Sequence, residues 1–280
     1  MLVEMLVDYL TGYSSRERDE EEEEEENSDE EERNGIDVGD ISALIIAGDA
    51  LAENFPAIGS GGNGCDAFEE EYSLEAEKRR EHDAQQLTWS LKELDVLLSM
   101  LCSNLDVFLM PGKRDPSTLL LPQQPLHRCL FPFSQTFDTF HPVSNPLQID
   151  INGTKFLGTS GQNIHDMQCY GTCDSIECLE LTLNARNLAP TACDTLQCFP
   201  YRDKDPFVIA DCPHVYFAGN CKEFKAKTIH GSANQKITLL AIPSFQKSGQ
   251  LILVNTSSLD YEVVQFANDT MNFDSSNTSL

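Results

Sequence analysis

The segment Ala43-Leu-Ile-Ile-Ala47 is followed at once by Gly48-Asp49, and it gives the clearest indication of fold class in this sequence of 280 residues. Five consecutive apolar residues without polar alternation are typical of a strand that is covered on both faces. The strand ends in a glycine and a carboxylate. Loops at the carboxyl ends of strands are where α/β proteins place their functional side chains.

The same pattern, an apolar strand that ends in a polar loop containing glycine, occurs three more times. We therefore expect an α/β fold in which mixed sheets are flanked by helices and the four loops share one edge. The further segments are Asp106-Val-Phe-Leu-Met110 with Pro111-Gly112-Lys-Arg-Asp115, Phe156-Leu157 with Gly158-Thr-Ser-Gly-Gln-Asn163, and His214 to Ala218 with Gly219-Asn220.

Helices and a hairpin are predicted between these strands. Leucines at helical spacing predict a helix over 68–103, with Lys92, Glu93 and Asp95 off its buried face. Trp89, in the same helix, is expected to pack against other side chains. A second helix is predicted over 174–188. Asn152-Gly153 predicts a tight hairpin over 149–157. The apolar start, residues 1–10, is interpreted as a strand.

The net charge of −27 restricts the function. Residues 16–33 hold thirteen acidic residues and three arginines, so about −10 lies there, and a solvated, disordered loop is predicted. The rest still carries about −17. Because DNA binding needs clustered Lys and Arg, tight binding of DNA by this chain alone is disfavoured and a protein partner is favoured. An acidic binding protein, in which the tract itself attracts a basic partner, stays open as a further alternative.

The ten cysteines and the start of the sequence bear on the compartment. No C-x-x-C pair occurs, so reduced structural thiols are favoured over a zinc or redox motif. The start lacks a basic region, and Glu4 and Asp8 interrupt its apolar run, unlike a signal peptide. The sequence is therefore interpreted as intracellular.

Several long segments, in the same order along the chain, closely resemble the small (B) subunits of replicative DNA polymerases, those of DNA polymerase delta in particular. The resemblance leaves out only the acidic tract and the tail. It is carried by Leu6-Val-Asp-Tyr-Leu-Thr-Gly12, Leu121-Pro-Gln-Gln-Pro-Leu-His127, Phe156-Leu-Gly-Thr-Ser-Gly-Gln-Asn163, Leu188-Ala-Pro-Thr-Ala192, Asp194-Thr-Leu196, Asp205-Pro-Phe207 and Cys212-Pro-His-Val-Tyr-Phe-Ala-Gly-Asn220.

The resemblance implies a metallophosphoesterase-like four-layer sandwich, with an inactivated calcineurin-like phosphoesterase domain over 1–266 and a flexible tail over 267–280. It implies an N-terminally truncated chain without the usual oligonucleotide-binding barrel. It also implies a nuclear, non-catalytic scaffold subunit in replication and repair synthesis. A scaffold of this kind links the C-terminal metal-binding module of the polymerase delta catalytic subunit to a third accessory subunit and meets DNA only indirectly.

In active phosphoesterases of this type the strand ends carry Asp, Asn and His ligands for two metal ions. The corresponding positions here are expected to form a degenerate metal site that binds no metal and no other cofactor: Asp49, Lys113, Arg114, Asp115 and Asn220. The six histidines, His127 and His214 among them, are interpreted as structural. The alternative is a metal-dependent phosphoesterase or exonuclease with a divergent site. The Gly158–Gly161 stretch lacks the Lys-Ser/Thr ending of a phosphate loop and a strong following helix, and is interpreted as a tight turn.

Overall fold

A computed structural model describes residues 2–12, 38–51, 74–231 and 235–266. Its helices are α1 (Leu2–Thr11), α2 (Leu74–Cys102), α3 (Gln162–Tyr170), α4 (Ser175–Ala185) and α5 (Phe245–Ser248). Its strands are β1 (Ala43–Ile46), β2 (Asp106–Leu109), β3 (Phe140–Pro142), β4 (Leu147–Ile151), β5 (Thr154–Thr159), β6 (Val215–Cys221), β7 (Lys225–His230), β8 (Lys236–Pro243), β9 (Gln250–Val254) and β10 (Tyr261–Gln265).

The strands form three sheets. Strands β1, β2 and β3 make a parallel sheet in that order. A five-stranded sheet has the order β4-β5-β6-β8-β7, in which the central three strands are parallel and the two edge strands antiparallel. Strands β9 and β10 form a separate antiparallel pair. All four apolar segments singled out above lie on strands, and the mixed α/β class is confirmed.

The apolar side chains divide into three clusters that define four layers. Helices α1 and α2 pack on the three-stranded sheet around Leu98, Val107 and Phe140. Helices α3 and α4 pack on the outer face of the five-stranded sheet. The third cluster, which includes Phe217, lies between the two sheets. The predicted helix, sheet, sheet, helix order is therefore present.

The hairpin is confirmed and extends over β4 and β5. Asn152 and Gly153 both have positive φ angles, 53° and 82°, as the preferred two-residue turn requires. The pairing places Ile149 opposite Phe156, so that both side chains join the cluster between the sheets.

The prediction of a strand over residues 1–10 is wrong, since Leu2–Thr11 is a helix. Val7 and Leu10 are buried against α2, whereas Glu4 and Asp8 lie on the exposed face. The acids are four residues apart, so they share one side of a helix and leave the opposite side apolar. The acidic tract 16–33 and the tail 267–280 lie outside the described residues.

Two predictions for α2 are wrong as well. Trp89 was expected to pack, but its side chain is 65% exposed and its indole N–H donates to Glu93. Asp95 was placed off the buried face, yet only 1% of it is exposed. Its carboxylate accepts hydrogen bonds from the backbone of residues 133 and 134, which compensates for its burial.

The Gly158–Gly161 stretch is only partly the tight turn that was predicted. Gly161 does turn with a φ of 91°. Gly158 instead lies within β5, and the nine-residue helix α3 follows directly at Gln162, contrary to expectation.

The cysteines of the described residues are free thiols of mixed exposure. Cys102 and Cys178 are buried, and burial raises the pKa of the Cys102 thiol to about 11. Cys193 is exposed, and its sulfur lies 2.9 Å from that of Cys198. In the described part of the chain, no helix combines the length and the apolar character that a membrane crossing requires.

Candidate functional site at the strand ends

The carboxyl ends of β1, β2, β5 and β6 meet at one point. Asn220, at the end of β6, donates its amide N–H groups to the carbonyl oxygens of Ala47 and Ser160 at 3.2 and 3.1 Å. Gly48 lies against Gly112, and a Cβ on Gly48 would lie 2.8 Å from the Gly112 Cα. We call this group the strand-end cluster: Gly48, Asp49, Gly112, Arg114, Asp115, Ser160 and Asn220.

Two glycines allow the strand ends to approach so closely. Gly48 adopts a φ of 80°, in the left-handed region that side chains disfavour. A Cβ on Gly112 would overlap the backbone and carboxylate of Asp49. Glycine at both positions therefore lets the loops after β1 and β2 touch.

Asp49 is paired with an arginine of the neighbouring loop. Its Oδ2 accepts from Nε and Nη2 of Arg114 at 3.2 and 3.1 Å, and its Oδ1 accepts from the Arg114 backbone N–H at 2.9 Å. The Asp49 side chain is only 10% exposed, and the Arg114 side chain 26%. A guanidinium thus lies against the carboxylate, where it compensates the negative charge.

Asp115 is a buried carboxyl that ties the two loops together. Its Oδ2 accepts from the backbone N–H groups of Asp49 and Gly112, both at 2.8 Å. Its Oδ1 is buried without a hydrogen bond of normal geometry, although the Leu51 amide contributes a weak favourable interaction. Burial raises the pKa of Asp115, and the nearby Asp49 carboxylate adds to the rise.

A neutral amide network connects the β2 and β5 ends, and sequence reasoning missed it as a unit. Asn145 donates to Gln123 and Ser160 at 2.8 and 2.7 Å, and Gln123 donates to the Gly112 carbonyl at 2.9 Å. Gln162 donates to Gln123 as well. Gln123 and Gln162 lie in segments that carry the family resemblance, which was the one signal that pointed to them.

The structure brings together four of the five expected site residues. Asp49, Arg114, Asp115 and Asn220 lie in the strand-end cluster, whereas Lys113 is exposed. Of the histidines, His214 is half-buried and its Nδ1 accepts from the Lys155 amide, as expected of a structural residue. His127 is exposed and caps the short turn at residues 128–130 through its Nδ1.

The side chains of the cluster do not fit a pair of metal ions. Two-metal hydrolysis needs several carboxylate, amide or imidazole ligands around both cations. Here one carboxylate is engaged by an arginine, the other accepts from backbone amides, and the Asn220 amide donates to carbonyls. Within the ranges that the structure describes, no group of three or more His, Cys, Asp or Glu residues is arranged to hold a metal.

The buried Asp115 predicts a specific pH dependence of stability. A carboxyl whose native pKa is raised stabilises the fold while it is protonated, and this stabilisation is lost as the pH rises from about 3.8 through the native pKa. In Asp115→Asn the group cannot ionise. We expect the stability of the wild type, relative to Asp115→Asn, to fall as the pH rises from 4 to 7.

Urea unfolding of both proteins across that pH range measures this difference. The slope with pH is the readout, since the amide also adds a constant cost by placing an NH₂ group where Oδ1 is buried. Parallel stability curves would contradict a raised pKa.

Comparison with known proteins places the chain in a family context. Residues 3–226 match the model of a family described as the B subunits of DNA polymerase alpha/epsilon. The sequence is 44% identical over 186 residues to the DNA polymerase delta small subunit of Oryza sativa subsp. japonica, covering 66% of this chain and 43% of that protein. It is 38% identical over 192 residues to the DNA polymerase delta subunit 2 of Drosophila melanogaster, covering 68% and 44%. The chain thus spans less than half the length of these relatives.

The solved structure of a novel archaeal phosphodiesterase is similar to this one over 62% of this chain and 75% of its own chain. The sequence identity is 11% and the TM-score 0.35.

Proposed function

Because the chain belongs to the family of DNA polymerase alpha/epsilon B subunits, we propose that it is a non-catalytic accessory subunit of DNA polymerase delta that acts as a scaffold in nuclear DNA replication and repair synthesis. Its partners would be the C-terminal metal-binding module of the catalytic subunit and a third accessory subunit. The net charge of −27 supports contact with DNA through those partners rather than directly.

The contact between Arg114 and Asp49 is the main support for the proposal that the chain is not a catalyst. The guanidinium is bound to the carboxylate by two hydrogen bonds from its side chain, and it places a fixed positive charge beside that carboxylate. A divalent cation would have to displace this arginine and would be repelled by it. We regard the cluster as a degenerate metal site whose side chains now hold the loops together.

A hydrolysis assay tests this part of the proposal. We expect no measurable cleavage of phosphodiester or phosphomonoester substrates with Mn²⁺, Mg²⁺ or Zn²⁺. The cluster lacks the free ligands that would hold the metal ions, and without those ions no hydroxide nucleophile is generated. The matched control is Asp49→Ala from an identical preparation. Manganese-stimulated turnover that is present in the wild type and absent from Asp49→Ala would reverse the assignment in favour of a divergent phosphoesterase.

An exposed aromatic patch is the best candidate for the partner surface. The rings of Phe199 and Tyr201 contact edge to face at 5.3 Å, and they are 54% and 48% exposed. The Phe199 amide donates to the Leu121 carbonyl, so the exposed Leu119 and Leu120 lie on the neighbouring segment. Exposed aromatic groups of this kind commonly provide most of the energy of a protein interface.

Capture of the purified C-terminal module of the catalytic subunit tests the scaffold role. We expect the wild type to bind it, and the double variant Phe199→Ala with Tyr201→Ala to bind at least tenfold more weakly. Trp89→Ala removes an aromatic ring that is even more exposed, on helix α2, and should bind like the wild type. Failure of the wild type to bind would refute the scaffold proposal, and equal binding by all three proteins would refute only the choice of surface.

A further inference from the structure

Two thiols lie side by side at an exposed turn. The sulfur atoms of Cys193 and Cys198 are 2.9 Å apart, although the residues are five positions apart in the chain. Cys193 is exposed, whereas Cys198 is partly buried against the apolar cluster under helices α3 and α4. The sulfur atoms of a disulfide are about 2.0 Å apart, so a shift of about 0.9 Å would bring these two to bonding distance.

The backbone of this turn is tightly constrained. The Thr191 carbonyl accepts from the amides of residues 194, 195 and 196, and the Cys193 amide donates to the Leu196 carbonyl. Within the turn, Cys193 adopts a φ of 71°, in the left-handed region that residues other than glycine rarely adopt. Such a conformation persists only where the surrounding structure enforces it, and it is concentrated at functional sites. The constrained residue is the one that carries the exposed sulfur.

A metal site accounts for the two sulfur atoms less well than a disulfide does. Two thiolates that bind one tetrahedral zinc ion at about 2.3 Å lie about 3.8 Å from each other. The observed separation of 2.9 Å is too short for this arrangement. In the part of the chain that the structure describes, no further His, Cys, Asp or Glu completes a group that could hold a metal.

We propose that Cys193 and Cys198 form a reversible disulfide when the chain meets hydrogen peroxide. The Cys193 thiolate attacks a peroxide oxygen, an S–O bond forms, the O–O bond breaks, and the leaving hydroxide takes up the proton of that thiol. The Cys198 thiolate then attacks the Cys193 sulfur, an S–S bond forms, and the hydroxide that leaves takes up the Cys198 proton. The two thiols lose two electrons in total, and the peroxide is reduced to two molecules of water.

Proximity, rather than acidity, would favour this reaction. The hydrogen bond with Cys198 and the charge of that neighbour raise the pKa of Cys193. A smaller fraction of Cys193 is therefore thiolate at neutral pH, and the first step should become faster as the pH rises. The second step is intramolecular, and well-oriented intramolecular reactions can reach effective concentrations of about 10⁵ M or more. The neighbouring thiol would thus capture the sulfenic acid before any dissolved thiol does.

The position of the pair gives the disulfide a structural consequence. Phe199 directly follows Cys198, and its amide donates to the Leu121 carbonyl. A covalent link to Cys193 would fix the start of the segment that carries the exposed rings of Phe199 and Tyr201. In reducing compartments disulfides are usually transient and redox-sensing, which suits a link at the surface. This inference does not depend on the proposed scaffold function.

Peptide mapping tests the disulfide directly. Trypsin releases residues 187–202 as one peptide, because Arg186 and Arg202 enclose a stretch without lysine or arginine, and its only cysteines are Cys193 and Cys198. The reduced full chain is treated with hydrogen peroxide in the presence of dimedone, which traps sulfenic acids, and the remaining thiols are then alkylated. We expect peptide 187–202 to lose both alkylation sites and two hydrogen atoms, and to regain both sites after treatment with dithiothreitol.

The exposed Cys129 is the matched control, since its tryptic peptide, residues 129–155, contains no second cysteine. It should accumulate the dimedone adduct. In Cys198→Ser the sulfenic acid at Cys193 has no neighbouring thiol, so its dimedone adduct should rise at least tenfold over the wild type. An equally abundant adduct at Cys193 in both proteins would overturn the proposal. So would thiols of peptide 187–202 that zinc protects from alkylation before any peroxide is added.

Hydrogen exchange shows whether the fold prepares the link. We expect the amides of residues 193–199 to exchange more slowly in the oxidised chain than in the reduced chain. The hairpin of β4 and β5 should exchange at the same rate in both. Faster exchange over residues 187–201 after oxidation would mean that the turn has to open before the sulfur atoms can bond, and the proposal would then fail.

Discussion

Gly158→Ala is expected to lower the free energy of unfolding by about 3 kcal/mol, at the upper end of the range for overpacking a core. Gly158 lies within β5 and pairs with Phe217 of β6. A Cβ at this position would overlap the Phe217 ring, which is 96% buried between the two sheets. The ring packs with Phe156, Val215 and Leu240, so a movement away from the new methyl group would break these contacts. Urea unfolding at neutral pH measures the loss.

A second substitution distinguishes steric overlap from a general preference for glycine. Phe217→Leu removes the ring atoms that the new methyl group meets, so the double variant should lose less stability than the sum of the single variants. Gly171→Ala is the matched control, since a Cβ there finds ordinary contacts of 3.8 Å or more and stability should change by less than about 0.5 kcal/mol. Strict additivity of Gly158→Ala and Phe217→Leu would contradict the overlap.

The features that the sequence predicted correctly are those that neighbouring residues determine. The apolar run at 43–47 and the Asn152-Gly153 turn each specify a strand or a turn without help from distant residues. The convergence of the strand ends followed from a general rule of α/β folds. Asp49 and Asn220 could therefore be assigned to the same site before their contacts were known.

The features that it missed depend on partners far away in the chain. Residues 1–10 are apolar enough to fit a strand, and packing on α2 decides for the helix. Lys113 and Arg114 look equivalent in the sequence, but the loop directs only Arg114 to Asp49. The amide network joins residues up to 39 positions apart, and no local pattern identifies such partners.

Asp95 belongs to the same group, and its replacement is the second large effect that we expect. It follows Leu91 by four residues and precedes Leu98 by three, which is the spacing of the buried stripe. The partners that allow a carboxylate to be buried there lie 38 and 39 positions away, however, and no local pattern identifies them. The buried carboxylate is tolerated there because it supplies a missing cap. Phe133, the residue just before the short turn at 134–136, has no side chain that can cap the turn. Asp95 supplies that cap from α2: it accepts from the Phe133 amide at 2.8 Å, the Ser134 amide at 2.9 Å and the Ser134 hydroxyl at 2.6 Å.

Asp95→Ala should therefore destabilise the fold by about 3 kcal/mol, because it leaves the buried Ser134 amide and the partly buried Phe133 amide without an acceptor. Glu93→Ala, on the exposed side of the same helix, loses only its surface contact with Trp89 and should change stability by less than about 0.5 kcal/mol. Hydrogen exchange should also show faster exchange at the amides of residues 133 and 134 in Asp95→Ala. An Asp95→Ala protein as stable as Glu93→Ala would mean that the turn at 134–136 does not need the carboxylate. The link between α2 and the segment leading to β3 would then rest on apolar contacts, among them those of Phe131 and Phe140, and on the hydrogen bonds that the Ser134 and Thr139 hydroxyls donate to backbone carbonyls of α2.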